Sequence, residues 1–209
     1  MKINFLGLLC CIITLLLITI SCKNKLGLQN DVATIKIPDI YFNSKDGVYT
    51  NENGKFFRNG QIFSGNLVTL YTANDTAEII PYYNGLEEDL TRKWFPNKKI
   101  SEERLYHLGK KERVHKGWWE NGQQKFIYNF KNDNHEGLAQ TWYPNGLMAS
   151  ENNYSKGYEI GMQRAWYSDG VIRANYEARD GRQYGLTGVK NCETVWDIET
   201  KRFIAKRPK

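Results

Sequence analysis

Short apolar bursts recur along this chain at a fixed interval, separated by polar breaks. From residue 46 onward, segments rich in Trp, Tyr, Phe, Val and Ile alternate with clusters of Gly, Asn, Asp and Pro. Such segments read as β-strands and the breaks as tight turns. Trp94, Trp118, Trp142 and Trp166 stand 24 residues apart. A second aromatic follows each, at Phe95, Trp119, Tyr143 and Tyr167, and Leu70 and Tyr71 hold the same places one period earlier. Twelve residues after each of these tryptophan places come Tyr82, Tyr106, Phe130, Tyr154 and Ala178, with Tyr176 facing the same way as Ala178. A period of this size marks an array of small stacked units.

The breaks keep the same period. One series is Gly85, Gly109, Asp133, Gly157 and Gly181; another is Gly65, Gly137, Gly161 and Gly185, with Asp89 and Arg113 as exceptions. The turn after each Trp reads Pro96-Asn97-Lys98, Glu120-Asn121-Gly122, Pro144-Asn145-Gly146 and Ser168-Asp169-Gly170. Asn-Gly and Asp-Gly tolerate the positive φ that hairpin turns require. A unit of this length holds two strands and two turns, and leaves no room for helices of normal size. The expected fold is all-β: an array of β-hairpins forming one elongated, twisted antiparallel meander sheet, preceded by an N-terminal signal segment. Residues 85–113 are the degenerate part, with Lys98 and Arg113 in glycine places, and a bulge or strain is expected there.

The run from Gly137 to Gly157, through Trp142-Tyr143, Asn145-Gly146 and Tyr154, resembles the MORN-variant repeat of the bacterial YwqK-like "antitoxin" family. The entry from Asp46-Gly47-Val48-Tyr49 to Phe63-Ser64-Gly65-Asn66-Leu67-Val68 resembles the start of such arrays. The resemblance spans residues 46–186. It implies a β-hairpin array that binds something, and it carries over no functional residue.

The first residues read differently. Lys2 precedes an apolar run from Phe5 to Ile20, then Ser21 and Cys22. That layout describes a secretory signal, too short to span a bilayer comfortably. The boundary resembles a bacterial lipoprotein signal with Cys22 as the lipidated residue, although Thr19 stands where leucine is usual. An uncleaved membrane helix is the alternative. Both place the repeats outside the cytoplasm. The expected organisation is a lipoprotein signal peptide at 1–21, a tether and entry segment at 22–45, the repeat domain at 46–186, and a capping segment at 187–209 that forms one irregular hairpin.

The chain has 29 basic and 23 acidic residues, a net charge of +6. The charges are interspersed, whereas phosphate binding favours a basic stripe, so no nucleic-acid partner is expected. Past Cys22 the only cysteine is Cys192, read as a small buried residue. His107, His115 and His135 fall at unlike places in their units and are read as exposed turn or strand-end residues; Glu87-Glu88-Asp89 and Glu102-Glu103 are read as a solvated face. No catalytic set, metal spacing or cofactor loop emerges.

What remains is aromatic. Strand neighbours point to opposite faces, so Trp94, Trp118, Trp142 and Trp166 are expected on one face and Phe95, Trp119, Tyr143 and Tyr167 on the other. The second row is the candidate binding surface; the competing reading is that both rows are cross-strand packing. Together these features describe a non-catalytic, membrane-anchored lipoprotein of the cell envelope that binds or scaffolds a protein partner. Two alternatives are a lipid- or glycan-binding module and an antitoxin-type neutralising protein.

Overall fold

The computed structural model describes residues 35–188 and the strand segments 194–197 and 202–205. The signal segment, Cys22, most of the tether, and Cys192 lie outside the described residues. Every regular element described is a strand. In chain order these are β1 (Tyr41–Asn43), β2 (Tyr49–Glu52), β3 (Lys55–Arg58), β4 (Gln61–Ile62), β5 (Gly65–Thr72), β6 (Asp75–Tyr83), β7 (Leu86–Glu87), β8 (Asp89–Trp94), β9 (Ile100–His107), β10 (Lys110–Lys111) and β11 (Arg113–Trp118). They continue as β12 (Gln124–Lys131), β13 (Asn134–His135), β14 (Gly137–Trp142), β15 (Met148–Ser155), β16 (Tyr158–Glu159), β17 (Gly161–Trp166), β18 (Ile172–Arg179), β19 (Arg182–Leu186), β20 (Thr194–Asp197) and β21 (Arg202–Ala205).

The main sheet runs β1-β5-β6-β8-β9-β11-β12-β14-β15-β17-β18-β19. From β5 onward it is the expected antiparallel meander. At its start it is mixed, because β1 pairs parallel with β5, Tyr41 opposite Asn66. Residues 46–62, expected within the repeat domain, add no unit to that sheet: β2, β3 and β4 form a separate three-stranded sheet. Strands β20 and β21 pair as an antiparallel hairpin, as the tail pattern predicts.

Each unit has two unlike ends. At one end a two-residue turn joins a long strand to a two-residue return, as His107 opposite Lys110 shows. Both turn residues have positive φ, at Leu108 (50°) and Gly109 (77°), and likewise at Asn84-Gly85, Asn132-Asp133, Lys156-Gly157 and Asp180-Gly181. Two positive φ values are the signature of a type I′ turn. The Asn-Gly pairs after each Trp are a different turn. There the register shifts at Trp118, Gly122 N donates to Trp119 O, and only Gly122 has positive φ. Lys98 holds that place in the degenerate unit at φ 66°, and Asp89 and Arg113 keep the positive φ of the second glycine series. The degenerate unit thus keeps the repeat geometry and holds four non-glycine residues, Asp89, Lys98, Leu108 and Arg113, at positive φ.

Residues paired across antiparallel strands share a face. One face is packed. It carries the buried column Leu67, Thr91, His115, Ala139 and Gln163, a full period apart at each step. Beside it run Tyr82, Tyr106, Phe130, Tyr154 and Ala178. Phe63, Leu67 and Tyr82 form the core under the entry sheet, with Phe42, Tyr49, Phe56 and Ile80 against them. Further along, rings do the packing: His115 and His135 flank Phe130 at centroid distances of 4.7 and 4.3 Å. Phe126 lies over Gly117 so closely that a Cβ there would overlap the ring.

Candidate functional site

The second aromatic row lies in turns, beyond the strand ends. Each strand closes at its Trp, so Phe95, Trp119, Tyr143 and Tyr167 are the first turn residues. Strand alternation therefore does not set their direction, and the expected opposition of two ladders rests on a premise these residues do not meet. Their hydrogen bonds set it instead. Tyr71 Oη donates to Trp94 O at 2.9 Å, Trp119 Nε1 to Trp142 O at 2.9 Å, and Tyr143 Oη to Trp166 O at 2.9 Å. Each aromatic thus reaches one unit forward and caps the carbonyl of the next Trp. Phe95 has no polar atom and breaks the series. Phe95, Trp119 and Tyr143 are half-buried, while Tyr167 is 51% exposed. Lys125 Nζ sits 4.6 Å from the Trp119 ring centroid. Trp94, Trp118, Trp142 and Trp166 are half-buried as well.

The turn asparagines strengthen this edge. The Oδ1 of Asn97, Asn121, Asn145 and Asp169 each accepts the N–H two residues on, at 2.9–3.1 Å. Asn121 Nδ2 also donates to Pro144 O at 2.7 Å, and Asn145 Nδ2 to Ser168 O at 2.9 Å. Aromatic and amide side chains together hold successive turns in one row.

The opposite edge has its own row, which sequence reading missed. Ser64, Glu88, Glu112 and Glu136 stand a period apart, and each side chain accepts the first N–H of the next type I′ turn, at Asn84, Leu108, Asn132 and Lys156. Glu88 also meets His107 Nδ1 at 2.8 Å and is only 5% exposed. That corrects its reading as part of a solvated face; it is a buried acceptor for a turn.

The histidines need correction too. His115 is 1% exposed, and its Nε2 donates to Leu105 O at 2.8 Å. Burial lowers its pKa, with Arg104 and Lys111 adding to the effect. Burial and then Lys111 lower that of His135. Neither is an exposed turn residue, because the neighbouring rings cover both. Tyr176 is raised to about 12, first by burial and then by Glu159, whose carboxyl accepts its hydroxyl at 2.9 Å.

The packed face changes character along the array. Near the entry it holds the ion pairs Lys93–Glu78 and Arg104–Glu102, each 2.8 Å. Burial and then Glu78 raise the pKa of Glu87. Toward the other end it carries Ala139, Ala165, Ala174 and Ala178, all buried. The outer face has a missed apolar row, again one period apart: Leu90, Val114, Leu138, Met162 and Leu186. The last four are exposed. Their common spacing was the available signal; their unlike side chains concealed it.

Among the described residues no group of three or more His, Cys, Asp or Glu side chains could hold a metal ion. Among the same residues no helix is long and apolar enough to cross a membrane. Comparison with protein-family models, with curated proteins and with solved structures returns no match.

Proposed function

We propose that this protein is a non-catalytic scaffold of the cell envelope that binds a protein partner along its turn edge. The observation that carries the reading is the row Phe95, Trp119, Tyr143 and Tyr167. Aromatic side chains are enriched at protein interfaces and dominate their hot spots. Here they recur one repeat apart, partly accessible, and Trp119 and Tyr143 are held by hydrogen bonds within the sheet. Fixed rings lose little conformational entropy when a partner arrives. The envelope location comes from Lys2, the run Phe5 to Ile20, and Cys22 as the lipidated residue. The resemblance to MORN-variant arrays supports a binding role.

Crosslinking in intact cells, followed by capture of the full-length protein and mass spectrometry, tests the surface. A defined partner should be enriched with wild type and with Tyr143→Phe, which keeps the ring. It should be lost with the double variant Trp119→Ala, Tyr143→Ala. Loss in Leu138→Asp instead would move the surface to the outer face. An unchanged partner set in all variants would overturn both. Palmitate labelling that disappears in Cys22→Ala would support the anchor, and equal labelling would remove it.

A further inference from the structure

A recess with a volume of about 270 Å³ opens at the first turns of the array, lined by Asn74, Asp75, Thr76, Ile79, Trp94 and Lys98. Its shape follows from a difference in turn length. Thr72 pairs with Asp75 across the two-residue turn Ala73-Asn74, whereas Phe95 and Lys99 close a longer loop around Lys98. The longer loop carries Lys98 over the shorter one, and the Lys98 ammonium meets Asp75 Oδ1 at 2.9 Å. Trp94 and Ile79, both half-buried, line the same recess. The recess therefore has an apolar wall and a rim of hydrogen-bonding groups of both kinds. Such a pairing of apolar surface with a few convergent polar groups is the usual make-up of a small-molecule site.

We infer that this recess is a subsite for one neutral sugar ring of a glycan. Trp94 gives the lining an aromatic side chain, whose ring is suited to packing on the C–H side of a pyranose. The rim offers donors from Lys98, Asn74 and Thr76, and acceptors from Asp75, Asn74 and Thr76. Charge decides among ligand classes. A cation would compete with Lys98 for Asp75, and an anion would compete with Asp75 for Lys98. An aliphatic side chain would cover the rim and leave its polar groups without partners, which is costly. A polyhydroxylated neutral ring donates to Asp75 and accepts from Lys98, and the ion pair stays intact. The inference does not rest on the protein-binding surface, since none of Phe95, Trp119, Tyr143 and Tyr167 lines the recess.

The test is an NMR titration of the full-length, isotope-labelled protein in detergent micelles, with the Trp94 indole resonance assigned through Trp94→Phe. Cellotetraose and tetra-N-acetylchitotetraose are the neutral probes; glucuronate and glucosamine are the charged ones. One neutral oligosaccharide should shift the Trp94 indole saturably with a millimolar Kd, and Trp94→Ala should weaken it at least about tenfold. Lys98→Gly guards against misfolding, because glycine suits the positive φ at this position. It should melt no lower than wild type yet bind several-fold more weakly. Three results would overturn the inference. The first is no saturable shift with either oligosaccharide. The second is tighter binding of a charged sugar. The third is wild-type binding by both Trp94→Ala and Lys98→Gly.

Discussion

His115 and Gln163 occupy the same buried place two repeats apart, and each sends a side-chain nitrogen to the carbonyl ten residues before it. His115 Nε2 meets Leu105 O at 2.8 Å and Gln163 Nε2 meets Asn153 O at 2.9 Å. Two chemically unlike side chains thus answer one backbone requirement. His115→Gln should therefore cost less than about 1 kcal/mol, whereas His115→Ala, which loses both the bond and the ring packing on Phe130, should cost about 2–4 kcal/mol. Urea unfolding of the two variants checks this. Equal losses would show that the ring, and not the donor, is what the site requires.

His115 and a second ring-packed histidine, His135, make stability depend on pH. Burial makes His115 and His135 both titrate below the ordinary imidazole range in the folded state. The unfolded chain then binds more protons in that range, so their contribution is fully present above it and is lost as pH falls toward the folded values. His135 Nδ1 is buried with no hydrogen-bond partner among the described residues, so a proton there gains no acceptor. Glu87 opposes the trend at lower pH: its raised pKa adds stability that disappears as pH rises through the folded value. The double variant His115→Gln, His135→Phe removes the histidine part alone. Its denaturant midpoint, followed from pH 7 downward, should fall less than that of wild type. Parallel curves would refute the assignment.

The buried acceptor at Glu88 predicts a gradient along its row. Glu88 serves both Leu108 N and His107 and is nearly closed to solvent, whereas Glu136 serves Lys156 N at a more open position. Glu88→Ala should cost about 2–3 kcal/mol and Glu136→Ala about 1 kcal/mol or less. Hydrogen exchange should show the same order locally, with the Leu108 amide losing more protection than the Lys156 amide does in its own variant.

Leu108 is a stabilisation target. It holds φ 50° at the first place of a type I′ turn where Asn84 and Asn132 stand in other units. A leucine pays a steric cost in this region that asparagine largely avoids. Leu108→Asn should raise stability by about 0.5–1 kcal/mol, read as a higher melting temperature. A lower one would mean that the exposed leucine makes contacts worth more than its strain.

Gly117 should be intolerant for the opposite reason. It has ordinary backbone, but the Phe126 ring occupies the space of its missing Cβ. Gly117→Ala should cost about 1–3 kcal/mol, and pairing it with Phe126→Leu should recover part of that. No recovery in the double-variant cycle would sink the overpacking account.

The Trp period, the glycine places and the hairpin character were legible in the residues themselves. Repeat spacing is covalent, and turn chemistry is local: a tight turn selects Gly, Asn or Asp wherever it occurs. Which face each residue takes was less legible. The column Leu67, Thr91, His115, Ala139 and Gln163 shares no chemistry, so no pattern of residue types marks it as core. At His115 the covering groups are the Tyr106 and Phe130 rings of neighbouring strands. The turn location of Phe95, Trp119, Tyr143 and Tyr167 was also hidden, because it depends on a register shift at the preceding Trp.

Repeat length, all-β class and the places where the chain must turn can be read along the residues. That turn-edge aromatics cap carbonyls one unit forward, that Glu88 and His115 are buried, and that Val114, Leu138, Met162 and Leu186 are exposed emerges only from the folded sheet. The reason is physical. Period and turn propensity act within a few residues of chain, whereas accessibility and hydrogen-bond partners are set by strands up to a full repeat away.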